Sequence, residues 1–371
     1  MRRLGVIVNP VAGMGGRVGL KGTDGPDTVE RARVLGAVPL AGERCALALS
    51  RLVEAGVEVI TAPGPLGADS ASAAGLPATI LHGLPAATGT AADTAATASR
   101  LAGSGADLIL FAGGDGTARD VFDAVGVRMP ILGVPTGVKM HSAVFGTSPR
   151  AAGDVALSFL QGRATLRDAE VTDLDEEALR NGRVAARLFG IARVPHQRGL
   201  MQACKAGARP DDEAALDALA RRLVREWPAD RLMILGCGTT IRRVKRALGF
   251  EGTTLGVDVA LGGRLLAADV TEAQLLRLLD RAPEAGIVAS VTGGQGFLFG
   301  RGNQQISAEV IRRVGRANIT VMTGAGKLTA LDPALLHVDT GDAEVDAMLA
   351  GYIGVHTAPG QRMMMRIAAN G

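Results

Sequence analysis

Aromatic side chains are scarce in this chain: one Trp, one Tyr and eight Phe among 371 residues. The densest basic stretch, Arg242-Arg243-Val244-Lys245-Arg246, has no aromatic interleaved. That argues against a stacking platform for nucleic acid, and the stretch reads as a solvated helix face. Cysteine is scarcer still. Cys45, Cys204 and Cys237 are widely spaced with no C-x-x-C, which argues against a disulfide framework or a zinc site and fits a reducing cytoplasm. Neither sign of charge dominates, with 40 basic against 37 acidic residues, so bulk charge selects no partner. Long apolar runs are missing too. The stretch 70–92 carries no Asp, Glu, Lys or Arg, but Pro77, Pro85, Gly75, Gly83 and Gly89 interrupt it, and it is rejected as a membrane span. The apolar run Leu4 to Val8 is too short and too soon broken for a signal peptide, and reads as a buried strand. The expectation is a cytoplasmic protein with no nucleic-acid partner and no membrane attachment.

What the chain has in quantity is glycine. Its 51 glycines are roughly double the usual share. They fall in pairs and triplets at the ends of apolar runs, where tight turns and close backbone approach to a ligand require them. The length suits two domains. Strand signals alternate with helix signals through the first half: Leu4 to Val8, helix Glu43 to Ala55, strand Val57 to Ile60, a helix from Thr90 to Leu101, strand Leu108 to Ala112, a helix, then strand Pro130 to Val134. Continuous apolar strands alternating with helices predict an α/β domain with a parallel sheet covered on both faces. Near Arg150 the texture changes to longer, half-polar strands of the antiparallel kind. The boundary is therefore placed there, giving an α/β domain over 1–150 and a mixed, β-rich domain over 151–371. The tail from Tyr352 to Ile367 is apolar enough to dock, with the first domain as its expected seat.

Four glycine-rich loops each follow a probable strand: Asn9 to Gly16, Gly113-Gly114-Asp115-Gly116-Thr117, Gly236-Cys237-Gly238-Thr239-Thr240, and Thr292 to Gly296. Glycine lets backbone N–H groups approach a phosphate, and a following helix N-terminus adds partial positive charge. One such loop is ordinarily a turn; four point to an anionic ligand, most plausibly a nucleotide. Neither the Walker P-loop nor the dinucleotide fingerprint is present at its required spacing. Asp115 is the odd member, because a phosphate repels a carboxylate. The loop alone leaves two readings open. Asp115 accepts a proton from a hydroxyl or holds Mg²⁺, or it caps the helix beginning near Thr117.

The Gly-Gly-Asp-Gly-Thr run after an apolar strand resembles the signature of the superfamily of NAD kinases, diacylglycerol and sphingosine kinases and 6-phosphofructokinases. Asn9 to Gly13, Gly19 to Gly25, Phe111 to Asp120, Gly133 to His141 and Gly293 to Gln304 resemble its ATP-NAD kinase-like branch, which includes AcoX. The resemblance implies an N-terminal α/β domain, a β-rich C-terminal domain and a ligand cleft between them. It implies ATP as cofactor and a small-molecule hydroxyl as acceptor; the phosphoryl-transfer reading adds Mg²⁺, and a homo-oligomer is the expected assembly. It makes Asp115 the general base and sets Gly113, Gly114, Gly116 and Thr117 along the ATP phosphates, with Asn9, Gly13 and Lys21 from the first loop. Gly236, Gly238, Thr239 and Thr240 resemble a second phosphate loop. NAD kinases carry an Asn-Glu pair where this chain has Pro135 to Ser142. That departure puts NAD as acceptor in doubt and leaves Thr136, Lys139 and His141 as candidate acceptor contacts. For Lys139 a surface position stands beside that role, as packing does for His141. Arg17 and Lys21 are candidates to neutralise phosphates, with a solvent-facing position as the alternative for each. Two other functions remain: a nucleotide-binding regulator, and a kinase of a lipid or polyol. Polyphosphate is the alternative donor.

Overall fold

The apolar runs of the first half become the strands of one sheet. The computed structural model describes residues 2–20, 26–84, 89–136, 140–174, 186–197, 199–201, 210–282, 284–292 and 295–369. The chain divides into two compact units: Met1–Met14 with Gly22–Cys204, and Gly15–Lys21 with Lys205–Gly371.

In the first unit β1 (Arg3–Val8), β2 (Glu58–Thr61), β3 (Ala78–Ile80), β4 (Leu108–Gly113) and β5 (Ile131–Pro135) form a parallel sheet in the order β3-β2-β1-β4-β5. β4 and β5 are buried along their whole length, which is why they read as unbroken apolar runs rather than as alternation. Among the described residues, six helices accompany the sheet: α1 (Pro26–Val34), α2 (Ala41–Leu49), α3 (Ala68–Ala73), α4 (Ala91–Ala102), α5 (Asp115–Val125) and α6 (Pro149–Leu160). α4 begins with the reciprocal Thr90–Asp93 capping box that the sequence predicts. The expected helix Glu43 to Ala55 is shorter. α2 stops at Leu49 and Ser50–Ala55 tightens to 3₁₀ before Gly56, a common way for a helix to end. The uncharged stretch supplies the end of α3 and the edge strand β3.

α6 lies against α2 so closely that a Cβ on Gly153 would sit 2.2 Å from the Ala48 carbonyl oxygen. Backbone cannot yield as a side chain can. Gly153→Ala is expected to cost roughly 1–3 kcal/mol, read as a lower midpoint in denaturant with an unchanged slope. After α6, β6 (Thr165–Leu174) and β7 (Ala186–His196) pair as an antiparallel ribbon. These are the half-polar strands that the sequence shows after Arg150, and they fall in the first unit.

The second unit holds a nine-stranded mixed sheet. Its strands are β8 (Leu232–Leu235), β9 (Asp258–Leu261), β10 (Arg264–Ala267), β11 (Ala285–Ala289), β12 (Phe297–Phe299), β13 (Ile319–Met322), β14 (Leu335–Val338), β15 (Gly351–Ala358) and β16 (Gln361–Ala369). The order is β10-β9-β8-β11-β13-β15-β16-β14-β12. The apolar tail becomes β15 and β16, an antiparallel pair inside this sheet. The basic stretch falls in the helix Thr239–Ala247, and one of its members contradicts the solvated-face reading. Lys245 is fully buried and pairs with Asp258 at 3.0 Å. Arg242, Arg243 and Arg246 stay at the surface, paired with Glu251, Glu213 and Asp217.

Candidate active site

The order of the first sheet reverses between β1 and β4, and open α/β sheets bind ligands beyond the carboxyl ends of strands at such a point. The two loops that leave these strands meet there. Asn9, just after β1, donates through Nδ2 to Thr117 Oγ1 in α5 at 3.1 Å, and its Oδ1 accepts the Val11 N–H at 3.2 Å. Its main-chain N–H reaches the Ala112 carbonyl of β4 at 3.0 Å. Gly13 in the same loop has φ +79°, and a Cβ there would lie 2.1 Å from the Thr136 carbonyl oxygen at the end of β5. Glycine is required at position 13 by this close approach of two backbones. Asn9, Gly13, Thr117 and Thr136, far apart in sequence, are thus joined by direct contacts.

β4 passes into α5 through Gly113 and Gly114. Gly113 is fixed by packing, since a Cβ would fall 2.3 Å from that of Thr117. Gly114 is different. It sits at the N-cap in extended geometry with φ −114°, and a Cβ would meet nothing within 4 Å. Neither sterics nor conformation within the chain demands glycine here. The open space in front of it, beside the first turn of α5, whose N–H groups have no partner within the helix, fits a close-approaching anion. Gly116 is half-buried in that same turn.

Asp115 is the first residue of α5 and is 7% exposed. The helix has no side-chain cap, so the capping reading is not met. The carboxylate instead accepts two main-chain N–H groups from the segment after β5, His141 at 2.6 Å and Ser142 at 3.0 Å. Burial pushes its pKa from 3.8 to about 7. The Ser142 and His141 donors pull it down, and the negative charge of Asp173 adds to the rise. A pKa near 7 puts the titration of this carboxyl in the range where general bases work at neutral pH.

His141 contributes its main chain, and its side chain is buried. Thr136 is fully buried, and its Oγ1 makes no hydrogen bond among the described residues. Lys21, Lys139 and the pair Gly293-Gly294 lie outside the described residues. Arg17 is exposed.

Three features escape the sequence reading. The Ser142 hydroxyl donates to the Thr172 carbonyl at 2.7 Å and accepts the Thr172 N–H at 3.0 Å, tying the Asp115 contact to β6. Arg119 pairs with Asp173 at 2.9 Å and with Asp120 at 3.1 Å, holding a cation beside the acid that acts on Asp115. Buried Arg44 of α2 donates Nε to the Pro135 carbonyl at 2.6 Å, next to Thr136. Ser142 lies in a run already singled out. Arg119 and Arg44 read as ordinary helix arginines, and no local pattern marks them.

The second unit carries its own glycine loop. β8 ends at Leu235, and Gly238 caps the following helix with φ 103° and no neighbour within 4 Å of a Cβ. Its N–H donates to the Thr254 carbonyl at 2.7 Å. Gly236 is buried against the Val288 carbonyl, Thr240 is buried, and Thr239 is exposed. Cys237 Sγ donates to the Gly302 carbonyl at 2.8 Å.

Comparison with protein families matches the ATP-NAD kinase N-terminal domain over residues 4–164 and the ATP-NAD kinase C-terminal domain over residues 230–367. The chain belongs to the NAD kinase family. It is a kinase, a phosphotransferase of the NAD-kinase type. A search of curated proteins finds no match. Among the described residues no helix is long and apolar enough to cross a membrane, and no three His, Cys, Asp or Glu side chains cluster as a metal cage.

Proposed function

We propose that this kinase transfers the γ-phosphoryl group of ATP to a hydroxyl of NAD or a related small metabolite, with Asp115 as general base. One observation carries the reading. A buried carboxyl with its pKa near 7 stands at the switch point of the sheet, one residue after a glycine that leaves open space at a helix N-terminus. Phosphoryl transfer asks the protein mainly for positioning and charge neutralisation. The N–H groups of the first turn of α5 hold phosphate oxygens, Gly114 admits them, and Asp115 orients the acceptor hydroxyl and takes its proton. Mg²⁺, when bound, neutralises phosphate charge.

A regulator that binds nucleotide without turnover is the second reading. The two N–H groups held by Asp115 favour it, because they give the carboxylate structural work. ATP consumption with Mg²⁺, measured across NAD, NADH, acetoin-related metabolites and polyols beside Asp115→Asn, separates the two. Acceptor-dependent turnover lost in the variant supports the kinase and names its substrate class. ATP binding without turnover on any acceptor moves the assignment to the regulator.

Gly114→Ala tests the phosphate contact independently. The site tolerates a methyl group sterically, so unfolding should change by no more than about 1 kcal/mol. The KM for ATP should rise about tenfold if phosphate oxygens pack against this position. An unchanged KM would remove Gly114 from the nucleotide site.

A further inference from the structure

A second cavity in the first unit shares no residue with the site around Asp115. It measures about 590 Å³, within the range that accepts a small organic ligand. Its floor is apolar, with Leu157, Ala164 and Leu200, and its polar rim includes Arg51, Asp154, Arg163 and His196. α6 and the segments flanking the β6–β7 ribbon supply most of it.

The charges on this rim are unbalanced. Asp154 is the one carboxylate among the lining residues, and Arg51 already engages it at 2.7 Å. Among the described residues the Arg163 guanidinium bonds only the neutral side chain of Gln161. Arg167, behind the rim, places Nη1 2.7 Å from His196 Nε2. A guanidinium always donates, so Nε2 is the acceptor and the imidazole is neutral with its proton on Nδ1. Burial and the charge of Arg167 both hold the His196 pKa below its ordinary value, in keeping with that form. The cavity therefore offers one lining guanidinium, Arg163, that has no carboxylate partner among the described residues, together with the His196 ring and the apolar side chains of Leu157, Ala164 and Leu200.

We propose that this cavity binds a small organic oxyanion, a phosphate ester or a carboxylate, with Arg163 as its anchor and His196 as a neutral donor. A planar guanidinium matches such oxygens bidentately, and the apolar floor takes the carbon body.

The test is an NMR titration of the full-length protein that follows the His196 ring proton, assigned with His196→Gln. One arm uses inorganic phosphate and pyrophosphate, the other succinate and citrate. The expected result is a saturable shift at millimolar or lower concentration in one arm, which identifies the class. Arg163→Gln should weaken that binding at least about tenfold, whereas Asp115→Asn should leave it unchanged. Arg163 is exposed, so its loss does not threaten the fold. No shift in either arm overturns the proposal, as does a shift that survives Arg163→Gln undiminished. Neither outcome bears on kinase activity.

Discussion

Asp115→Asn is expected to lower acceptor-dependent turnover by about 10²–10⁴-fold, the usual contribution of a positioned general base. Asparagine keeps the shape and one acceptor oxygen for the His141 and Ser142 N–H groups, but it cannot take a proton. The wild-type pH profile should report the same group. Because burial raises the Asp115 pKa to about 7, the reactive carboxylate is the minor form below that pH. The value of kcat/KM should then fall about tenfold per pH unit on the acid side, and this limb should vanish from the residual rate of the variant. Stability carries the opposite sign. A pKa raised from 3.8 to about 7 means that the folded state holds a proton which the unfolded chain releases. That contribution is complete below 3.8 and is lost as pH rises to 7, on the order of 4 kcal/mol in all. Denaturation of Asp115→Asn should accordingly vary less between pH 4 and 7 than that of the wild type. A near wild-type rate in the variant would remove Asp115 from the chemistry.

The largest expected effect on stability belongs to the second unit. Lys245→Met should cost roughly 3–5 kcal/mol, because it leaves Asp258 charged and buried without its counter-ion. Both side chains are fully inaccessible, and Lys245 also donates to the carbonyls of Thr253, at 2.7 Å, and Gly256, at 3.2 Å. Asp258 accepts the Thr253 N–H, the Thr253 hydroxyl and the Asp269 N–H. Burial works to raise its pKa, and Lys245 with these donors outweighs it, so the net direction is down. Its contribution is therefore present above the ordinary Asp range and lost as pH falls below it. Adding Asp258→Asn to Lys245→Met should restore part of the loss, since no net charge then stays buried. Urea unfolding of the two variants measures the difference. A double variant no more stable than the single one would show that the hydrogen bonds, rather than the charges, carry the effect.

Some of this protein was legible in its order of residues. Buried parallel strands such as Leu108–Gly113 are continuous apolar runs, and their alternation with helices specified the first sheet. Thr90 and Asp93 specified a helix start through a purely local pair of hydrogen bonds. A carboxylate between glycines marked Asp115, because no turn needs one there. What such local signals cannot carry is the meeting of residues from different elements. Nothing near Asp115 in sequence says that its partners are the N–H groups of His141 and Ser142, which are 26 and 27 residues away. That pairing removed the capping reading, and the burial around it moved the carboxyl to neutral pH. Lys245 makes the same point in reverse. In sequence it is one cation among four and belongs on a wet face, and only an aspartate arriving on β9 makes its burial tolerable. Periodicity and turn chemistry, which act over a few residues, set the elements and the candidate base. Desolvation and pairing depend on what surrounds a group in space, so only the tertiary structure decided which charges are buried and which carboxyl has its pKa raised.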